Sequence, residues 1–290
     1  MGWNGFFKGV LKMTGIVDVG GGLRGIYGAG VFDYCLDRGI SFDYCIGVSA
    51  GSANIASYLG GQKGRNRSFY LDYSFRKQYM SLGNLLHTGS YLNLDYVYGK
   101  LSNHNGENPL NFQAIKASKS IFKVVALNVL TGETVYFDKN DLSQDNYDIF
   151  KASSCIPVVC KPYAVNGILC CDGGLADPVP VQKAFDDGCD KVAVILTRPR
   201  DFVRVPKRDM RMATLVRKKY ERVSDCFLLR YKKYNDEVAL AKKYEKEGKV
   251  LLIAPDNCCG MKTLTRDRKR LEEMYQKGYT DAKAIDSFLA

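Results

Sequence analysis

One serine, one aspartate and two glycine-rich turns carry the chemistry this sequence could perform. Ser49 stands in Gly47-Val48-Ser49-Ala50-Gly51, directly after the apolar run Tyr44-Cys45-Ile46. A serine on a tight strand-to-helix turn has its hydroxyl exposed. Gly47 and Gly51 leave room where bulkier side chains would clash, which is the pattern of a nucleophile elbow. Upstream, Gly20-Gly21-Gly22-Leu23-Arg24-Gly25 follows a second apolar run, Ile16-Val17-Asp18-Val19. Backbone N–H groups bare of side chains, gathered at a helix N-terminus, suit the negative charge that develops on a carbonyl oxygen. Downstream, Asp172-Gly173-Gly174 comes straight off an apolar segment and fixes a carboxylate on a turn.

A serine nucleophile needs a base. Only His87 and His104 are imidazoles, so no histidine follows Asp172. That excludes the chain order Ser, acid, His of the α/β-hydrolases, although triad order is not fixed across folds. Both histidines lie outside any motif and read as surface or core residues. Asp172 is the remaining base, and partial burial would raise its pKa and make it a better proton acceptor.

Two readings from other classes stand beside this one. Gly20, Gly22 and Gly25 also satisfy G-x-G-x-x-G, the dinucleotide fingerprint, between a strand and a helix. Asp43 falls about where a ribose-binding acid is expected, but it opens the second strand, whereas the fingerprint acid ends it. A nucleotide-binding oxidoreductase is therefore one alternative. A catalytically silent lipid-binding protein, with an inert Ser49, is the other.

These residues need a particular set of elements to hold them. Ile26, Ala29, Gly30, Phe32, Asp33 and Leu36 predict a helix between the two turns, with Gly39 as its C-cap. A small-residue helix over 50–60 continues from Ser49. Helices are expected near 66–79 and 93–101, then a loop around Asn103–Pro109; this middle stretch should cover the active face. Strands over Phe122–Leu130 and Thr134–Phe137 form a hairpin, and a helix from Phe150 ends at the residue before Pro157. A second hairpin, Tyr163–Val165 and Ile168–Cys171, turns at Asn166-Gly167, a type I′ signal. A helix over Val181–Asp187 and a strand over Lys191–Leu196 follow. Beyond them come a long helix from about 211 to 247 interrupted near Asn235, a strand at Val250–Ala254, and helices near 263–277 and 280–289.

Bulk composition bounds the rest. At 290 residues, 46% hydrophobic and 25% charged, the chain can fill the core of one large domain. No apolar run approaches the roughly 18 residues of a membrane span. Lys8 and Lys12 break the N-terminal apolar patch, so no secretory signal is expected. Ten cysteines without one suggest a reducing cytosol. The pairs Cys170-Cys171 and Cys258-Cys259 lack Cys-x-x-Cys spacing, and no metal site is expected. The net charge of +11 points to an acidic partner or surface. The basic run from Arg198 to Arg222 is read as a contact with anionic lipid. Trp3, Phe6, Phe7, Val10 and Leu11 sit at helical spacing, an apolar face that docks on the body or on a membrane surface.

Four motifs occur in one order: Gly20–Gly25, Gly47–Gly51, Ala152-Ser153-Ser154-Cys155-Ile156-Pro157 and Asp172-Gly173-Gly174. Together they resemble the patatin-like phospholipase family, most closely its bacterial cytoplasmic branch, over roughly residues 15–180. The resemblance implies a three-layer α/β/α fold with a mostly parallel central sheet. It implies a Ser–Asp dyad, with Ser49 as nucleophile and Asp172 as base. Gly20, Gly21, Gly22 and Arg24 would lie in the oxyanion loop, and Gly173 and Gly174 would hold the acceptor turn. The implied reaction is hydrolysis of lipid acyl esters, of phospholipase, lysophospholipase or esterase type, with no cofactor and no metal. The expected partners are the acyl ester and an anionic membrane surface, with no nucleic acid, and the expected location is cytoplasmic or peripheral at the membrane. The expected organisation is an amphipathic segment at 1–14, a catalytic domain at 15–184, and a basic, helix-rich C-terminal extension at 185–290 that completes the sheet. Cys155-Ile156 departs from the small residues of many members at the third motif.

Overall fold

The computed structural model describes residues 12–290; the apolar helix expected at 3–11 lies outside them. β1 (Thr14–Asp18) runs into the glycine turn, which tightens to a 3-10 turn at Gly22–Gly25 and opens α1 (Ile26–Arg38). Gly39 ends that helix in the left-handed conformation, as its lack of a Cβ allows. β2 (Tyr44–Val48) delivers Ser49 to the head of α2 (Ala50–Leu59).

The middle stretch is more broken than its sequence suggests. It holds α3 (Arg65–Leu71), a 3-10 turn at Tyr73–Phe75, α4 (Leu82–Thr88), a π-helical turn at Tyr96–Lys100 and α5 (Phe112–Ala117). A single helix over 66–79 does not form. Phe69, Tyr70, Leu71, Tyr73 and Ser74 are all buried, too continuous a span for one stripe of a helix.

β3 (Ile121–Asn128) and β4 (Thr134–Asp138) form the first hairpin. α6 (Asp148–Ser154) stops two residues short of Ile156, because Cys155 leaves the helix and its carbonyl accepts the N–H of Asp172 at 3.1 Å. β5 (Tyr163–Val165) and β6 (Ile168–Asp172) pair across Asn166 and Gly167. Both turn residues have positive φ (49° and 79°), as type I′ requires.

The C-terminal region contributes α7 (Val181–Asp186), β7 (Lys191–Ile195), α8 (Pro206–Arg217), α9 (Glu221–Lys246), β8 (Val250–Ile253), α10 (Arg268–Asp281) and α11 (Ala284–Leu289). The expected interruption at Asn235 falls elsewhere: the break is at residues 218–220, and α9 runs through Asn235 intact. The Asn235 amide is used in a tertiary contact instead. It accepts from the Arg204 N–H at 2.8 Å and donates to the Arg204 carbonyl at 3.0 Å. α10 starts at Arg268 because Asp267 caps it; the preceding segment runs in turns beside the glycine turn, where the Thr263 carbonyl accepts from Leu23 N–H.

The strands form one mixed sheet in the order β5-β6-β3-β2-β1-β7-β8, with β4 also paired to β3. β3, β2, β1, β7 and β8 are mutually parallel, and β4, β5 and β6 add an antiparallel edge. Successive strand residues face opposite sides. Ile16, Cys45, Val124, Ala193 and Ile195 therefore join one core with α1, α2 and α10. Val17, Ile46, Val125, Val192 and Val194 join the other with α7, α8 and α9. The result is a three-layer α/β/α fold. From β1 the chain winds outward through β2 to β3, and later through β7 to β8 in the other direction. Such a switch point leaves a crevice at the C-terminal strand ends, and both glycine-rich turns open there. No helix among the described residues is long and apolar enough to cross a membrane.

Candidate active site

Ser49 occupies a conformation that side chains avoid, with φ 55° and ψ −129°. Holding a non-glycine residue there costs on the order of 1–3 kcal/mol, and it persists only if its surroundings fix it. They do so on both sides of the residue. The Ser49 N–H donates to Ser153 Oγ at 2.8 Å, and Ser153 Oγ donates to the Val125 carbonyl at 2.6 Å. The Ser49 carbonyl accepts from Ser52 Oγ at 2.6 Å. Close approach explains the flanking glycines. A Cβ on Gly51 would stand 2.2 Å from the Asp18 carbonyl oxygen, and one on Gly47 2.5 Å from Ser52 Cα.

The first glycine turn lies against this elbow. Gly20, Gly21 and Gly22 all have positive φ (63°, 128° and 63°). Gly20 is anchored at both ends: its N–H donates to Asp18 Oδ1 at 2.8 Å, and its carbonyl accepts from Thr197 Oγ1. Asp18 Oδ2 accepts from Asn54 Nδ2 at 2.9 Å, tying the turn to α2. Complete burial outweighs these bonds and pushes the Asp18 carboxyl up to about 6. The N–H groups of Gly21 and Gly22 have no hydrogen-bond partner among the described residues. Arg24 is buried behind them, with Nε donating to the Thr197 carbonyl at 3.1 Å and Nη1 to Thr263 Oγ1 at 3.2 Å. Burial, helped by the charge of Arg198, brings its guanidinium down to about 10, so it stays charged at neutral pH.

Asp172 ends β6 and is 3% exposed. Its Oδ1 accepts from the Gly174 N–H at 2.8 Å, inside its own turn. Its Oδ2 is buried with no partner, which leaves a lone pair with nothing to satisfy it. Burial raises the Asp172 pKa above the usual carboxylate range. The positive charge of Arg230 opposes this, then the nearby Ser49 hydroxyl and the Gly174 N–H. The Ser49 hydroxyl is thus close enough to act on the carboxyl, although the two make no hydrogen bond. Arg230 arrives from the middle of α9 and donates from Nε to the Gly174 carbonyl at 2.7 Å. Gly174 separates the two charges: a Cβ there would lie 2.9 Å from Asp172 Oδ1 and 3.0 Å from Arg230 Nη2.

The fold therefore brings Ser49, Asp172, Gly21, Gly22, Gly174 and Arg24 to one cavity of about 260 Å³. A second, smaller cavity of about 60 Å³ opens beside it and is lined by Leu23, Phe69, Tyr70, Met80, Leu94 and Val97. The two share Ser49, Gly22 and Ile156. The histidines are elsewhere. His87 is exposed on α4, and His104 pairs with Asp145 on the surface. Asp43 is at the opposite end of the sheet, where its Oδ2 accepts from the N–H of Thr14 at 2.8 Å. The acid of a dinucleotide site would have to stand near the glycine turn, and Asp43 does not.

Sequence reasoning missed several members of this site. Ser153 lay in a recognised motif but had no role. The basic run is expected to contact anionic lipid, yet Arg198, Arg204 and Arg208 line the main cavity with Asp209 and Arg230. Nothing in local spacing distinguishes them from solvated arginines.

A family model described as patatin-like phospholipase matches residues 19–185, and one for a domain of unknown function, DUF6363, matches residues 220–285. The uncharacterized protein YjjU of Escherichia coli (strain K12) is 28% identical over 202 residues, which are 68% of this chain and 55% of YjjU. The chain thus spans about half the length of that relative. The crystal structure of VipD from Legionella pneumophila has a TM-score of 0.52 at 15% identity, over 96% of this chain and 67% of that one. At that identity the likeness is one of fold.

Proposed function

This chain belongs to the patatin-like phospholipase family, and from that premise we propose that it is a serine hydrolase of lipid acyl esters with Ser49 as nucleophile and Asp172 as base. One observation supports the reading above the others. Ser49 on a constrained turn, a buried carboxylate with an unpartnered oxygen, and two unpartnered N–H groups border a single cavity.

The steps follow from that arrangement. Asp172 Oδ2 takes the proton of Ser49 Oγ as Oγ bonds to the ester carbonyl carbon. Charge develops on the carbonyl oxygen and is met by the N–H groups of Gly21 and Gly22, with the Arg24 guanidinium behind them. The carbon–alkoxy bond breaks, and the alcohol leaves with the proton from Asp172. Ser49 then carries the acyl group. Water attacks that ester, giving its proton to Asp172, and the carboxylic acid departs as Ser49 Oγ regains the proton. Gly47 and Gly51 let the elbow close, and Gly173 and Gly174 let the acceptor turn reach it. Arg230 opposes the effect of burial and favours the ionised, proton-accepting form of Asp172.

A dinucleotide-dependent role is less well supported, because Asp43 is at the wrong end of its strand. We further propose that the cavity mouth works at a lipid surface. Leu82 and Leu86 on α4 are 70% and 83% exposed, and Val203 and Val205 beside the main cavity 67% and 64%.

A fluorophosphonate probe tests the central claim. Intact-mass spectrometry should show one covalent adduct on the wild-type chain and none on Ser49→Ala. An unlabelled wild type, or an adduct that survives the substitution, would sink it. A silent lipid-binding protein would bind lipid and remain unlabelled.

A further inference from the structure

We propose that the C-terminal region builds an anion subsite beside Ser49, which selects acyl esters whose alcohol carries a phosphate. This rests on the hydrolase reading and names the substrate side that reading leaves open.

The charges around the main cavity do not balance. Five guanidinium groups border it, from Arg24, Arg198, Arg204, Arg208 and Arg230, against two carboxylates, Asp172 and Asp209. Asp209 is 2% exposed and already committed. It accepts two hydrogen bonds from Arg204, both at 2.7 Å, and stands 3.9 Å from Arg230. Arg198 and Arg208 have no carboxylate partner among the described residues. The Arg198 guanidinium lies 4.1 Å over the Phe202 ring, which fixes its position and leaves its N–H edges open. Burial with neighbouring positive charge brings both Arg24 and Arg230 down to about 10. Five like charges are thus gathered around one cavity against two carboxylates, of which Asp209 is held by Arg204. Phosphate, with several oxygens of which two can meet the N–H fork of one guanidinium, is the anion such a set holds best.

The direction of the substrate follows from the second cavity. It is mostly apolar, with Arg65 and Asn66 also in its lining, and it meets the basic cavity at Ser49, Gly22 and Ile156. An ester carbonyl placed at Ser49 therefore has an apolar side for its acyl chain and a basic side for its alcohol. At about 260 Å³ the basic cavity lies just below the roughly 300 Å³ where pockets for drug-sized ligands begin. That suits a small head group such as glycerol phosphate. Four of the five arginines (Arg198, Arg204, Arg208 and Arg230) come from the region after β7, so the selectivity would belong to that region and not to the motif-bearing half.

Two measurements test this separately from the chemistry. Glycerol 3-phosphate and inorganic phosphate are titrated calorimetrically at low salt into Ser49→Ala, alone and combined with Arg198→Gln/Arg208→Gln. Active protein with and without those two arginines is then compared on a 1-acyl-glycerol 3-phosphate and a 1-acyl-glycerol of the same chain. The expected result is glycerol 3-phosphate binding that weakens at least tenfold in the arginine variant. The wild-type kcat/KM should favour the phosphate ester at least tenfold, and that ratio should fall at least fivefold in the variant. Arg208→Gln alone, at an exposed position, gives a smaller change in the same direction should the double variant fold poorly. Binding unaffected by the substitutions, or no preference between the esters, overturns the proposal. Inorganic phosphate binding as tightly as glycerol 3-phosphate, without an ester preference, also overturns it and leaves a site for free anions. Arginine-dependent binding with neither ester cleaved keeps the subsite and removes the hydrolase reading.

Discussion

Replacing Ser153 by alanine should damage both the stability of the protein and its turnover, although Ser153 touches no substrate. Its side chain is fully buried and makes two hydrogen bonds, accepting from the Ser49 N–H at 2.8 Å and donating to the Val125 carbonyl at 2.6 Å. Alanine keeps the volume to within one oxygen atom but strands a buried donor and a buried acceptor. Each such group costs about 1–3 kcal/mol, so the loss for the two should total about 2–6 kcal/mol. The strained Ser49 backbone then loses the bond that holds it. An elbow relaxing by about 1 Å is enough to lower turnover about a hundredfold. Guanidinium unfolding should show a lower midpoint at unchanged slope, and a p-nitrophenyl ester assay should show lower kcat. Ser154→Ala is the control. Its hydroxyl has only Tyr98 Oη, at 3.3 Å, and the expected loss is below about 1.5 kcal/mol. A Ser153→Ala protein within about 0.5 kcal/mol of wild type, the range of neutral surface changes, with full turnover, would refute the argument that this hydroxyl fixes the elbow.

Ser49→Gly and Ser49→Ala should both be inactive, with the glycine variant more stable by about 1 kcal/mol, because only glycine relieves the positive φ; equal unfolding midpoints would show no strain at the elbow. Arg230→Gln removes the charge that opposes the effect of burial on Asp172, so the Asp172 pKa rises further and the acid limb of the kcat/KM profile moves to higher pH. A limb that stays in place or moves down would count against Asp172 as the base. His87→Ala/His104→Ala should keep most of the esterase activity, whereas Asp172→Asn should lose about as much as Ser49→Ala, and the Ser49→Ala/Asp172→Asn pair little more; activity lost with the histidines in folded protein would mean a triad. Binding to anionic vesicles should weaken with salt, since the exposed Arg211, Arg217, Lys218, Lys219 and Arg222 act through a field screened over about 8 Å at physiological ionic strength; binding unchanged by salt would remove this basic face as the contact.

What the sequence determined by itself is local. Glycines at 20–22, 47 and 51 mark places where the chain must turn with positive φ or pass another backbone at contact distance, and no other residue type meets that need. Asn166-Gly167 specified a type I′ turn, and Gly39 a helix stop, for the same reason. Short apolar runs ending at glycine turns marked the central strands, because a parallel strand covered on both faces needs apolar residues at successive positions. The absence of a histidine after Asp172 was plain from chain order. What only the tertiary structure decided is where long side chains point and which partners they meet. The run from Arg198 to Arg222 has one composition throughout, yet Arg198 and Arg204 are half-buried in the cavity lining and Arg208 stands exposed at its edge, while Arg217 and Arg222 lie away from it in solvent. That division is set by the buried Asp209 and by the packing of α8 on α9, and neither is a local property. Asn235 reads locally as a helix breaker, but two bonds to Arg204, 31 residues away, keep it inside a continuous helix. The motif around Ser153 marks the residue but not its role; it acts through a hydrogen bond spanning 104 residues, which exists only once β2, β3 and α6 lie together.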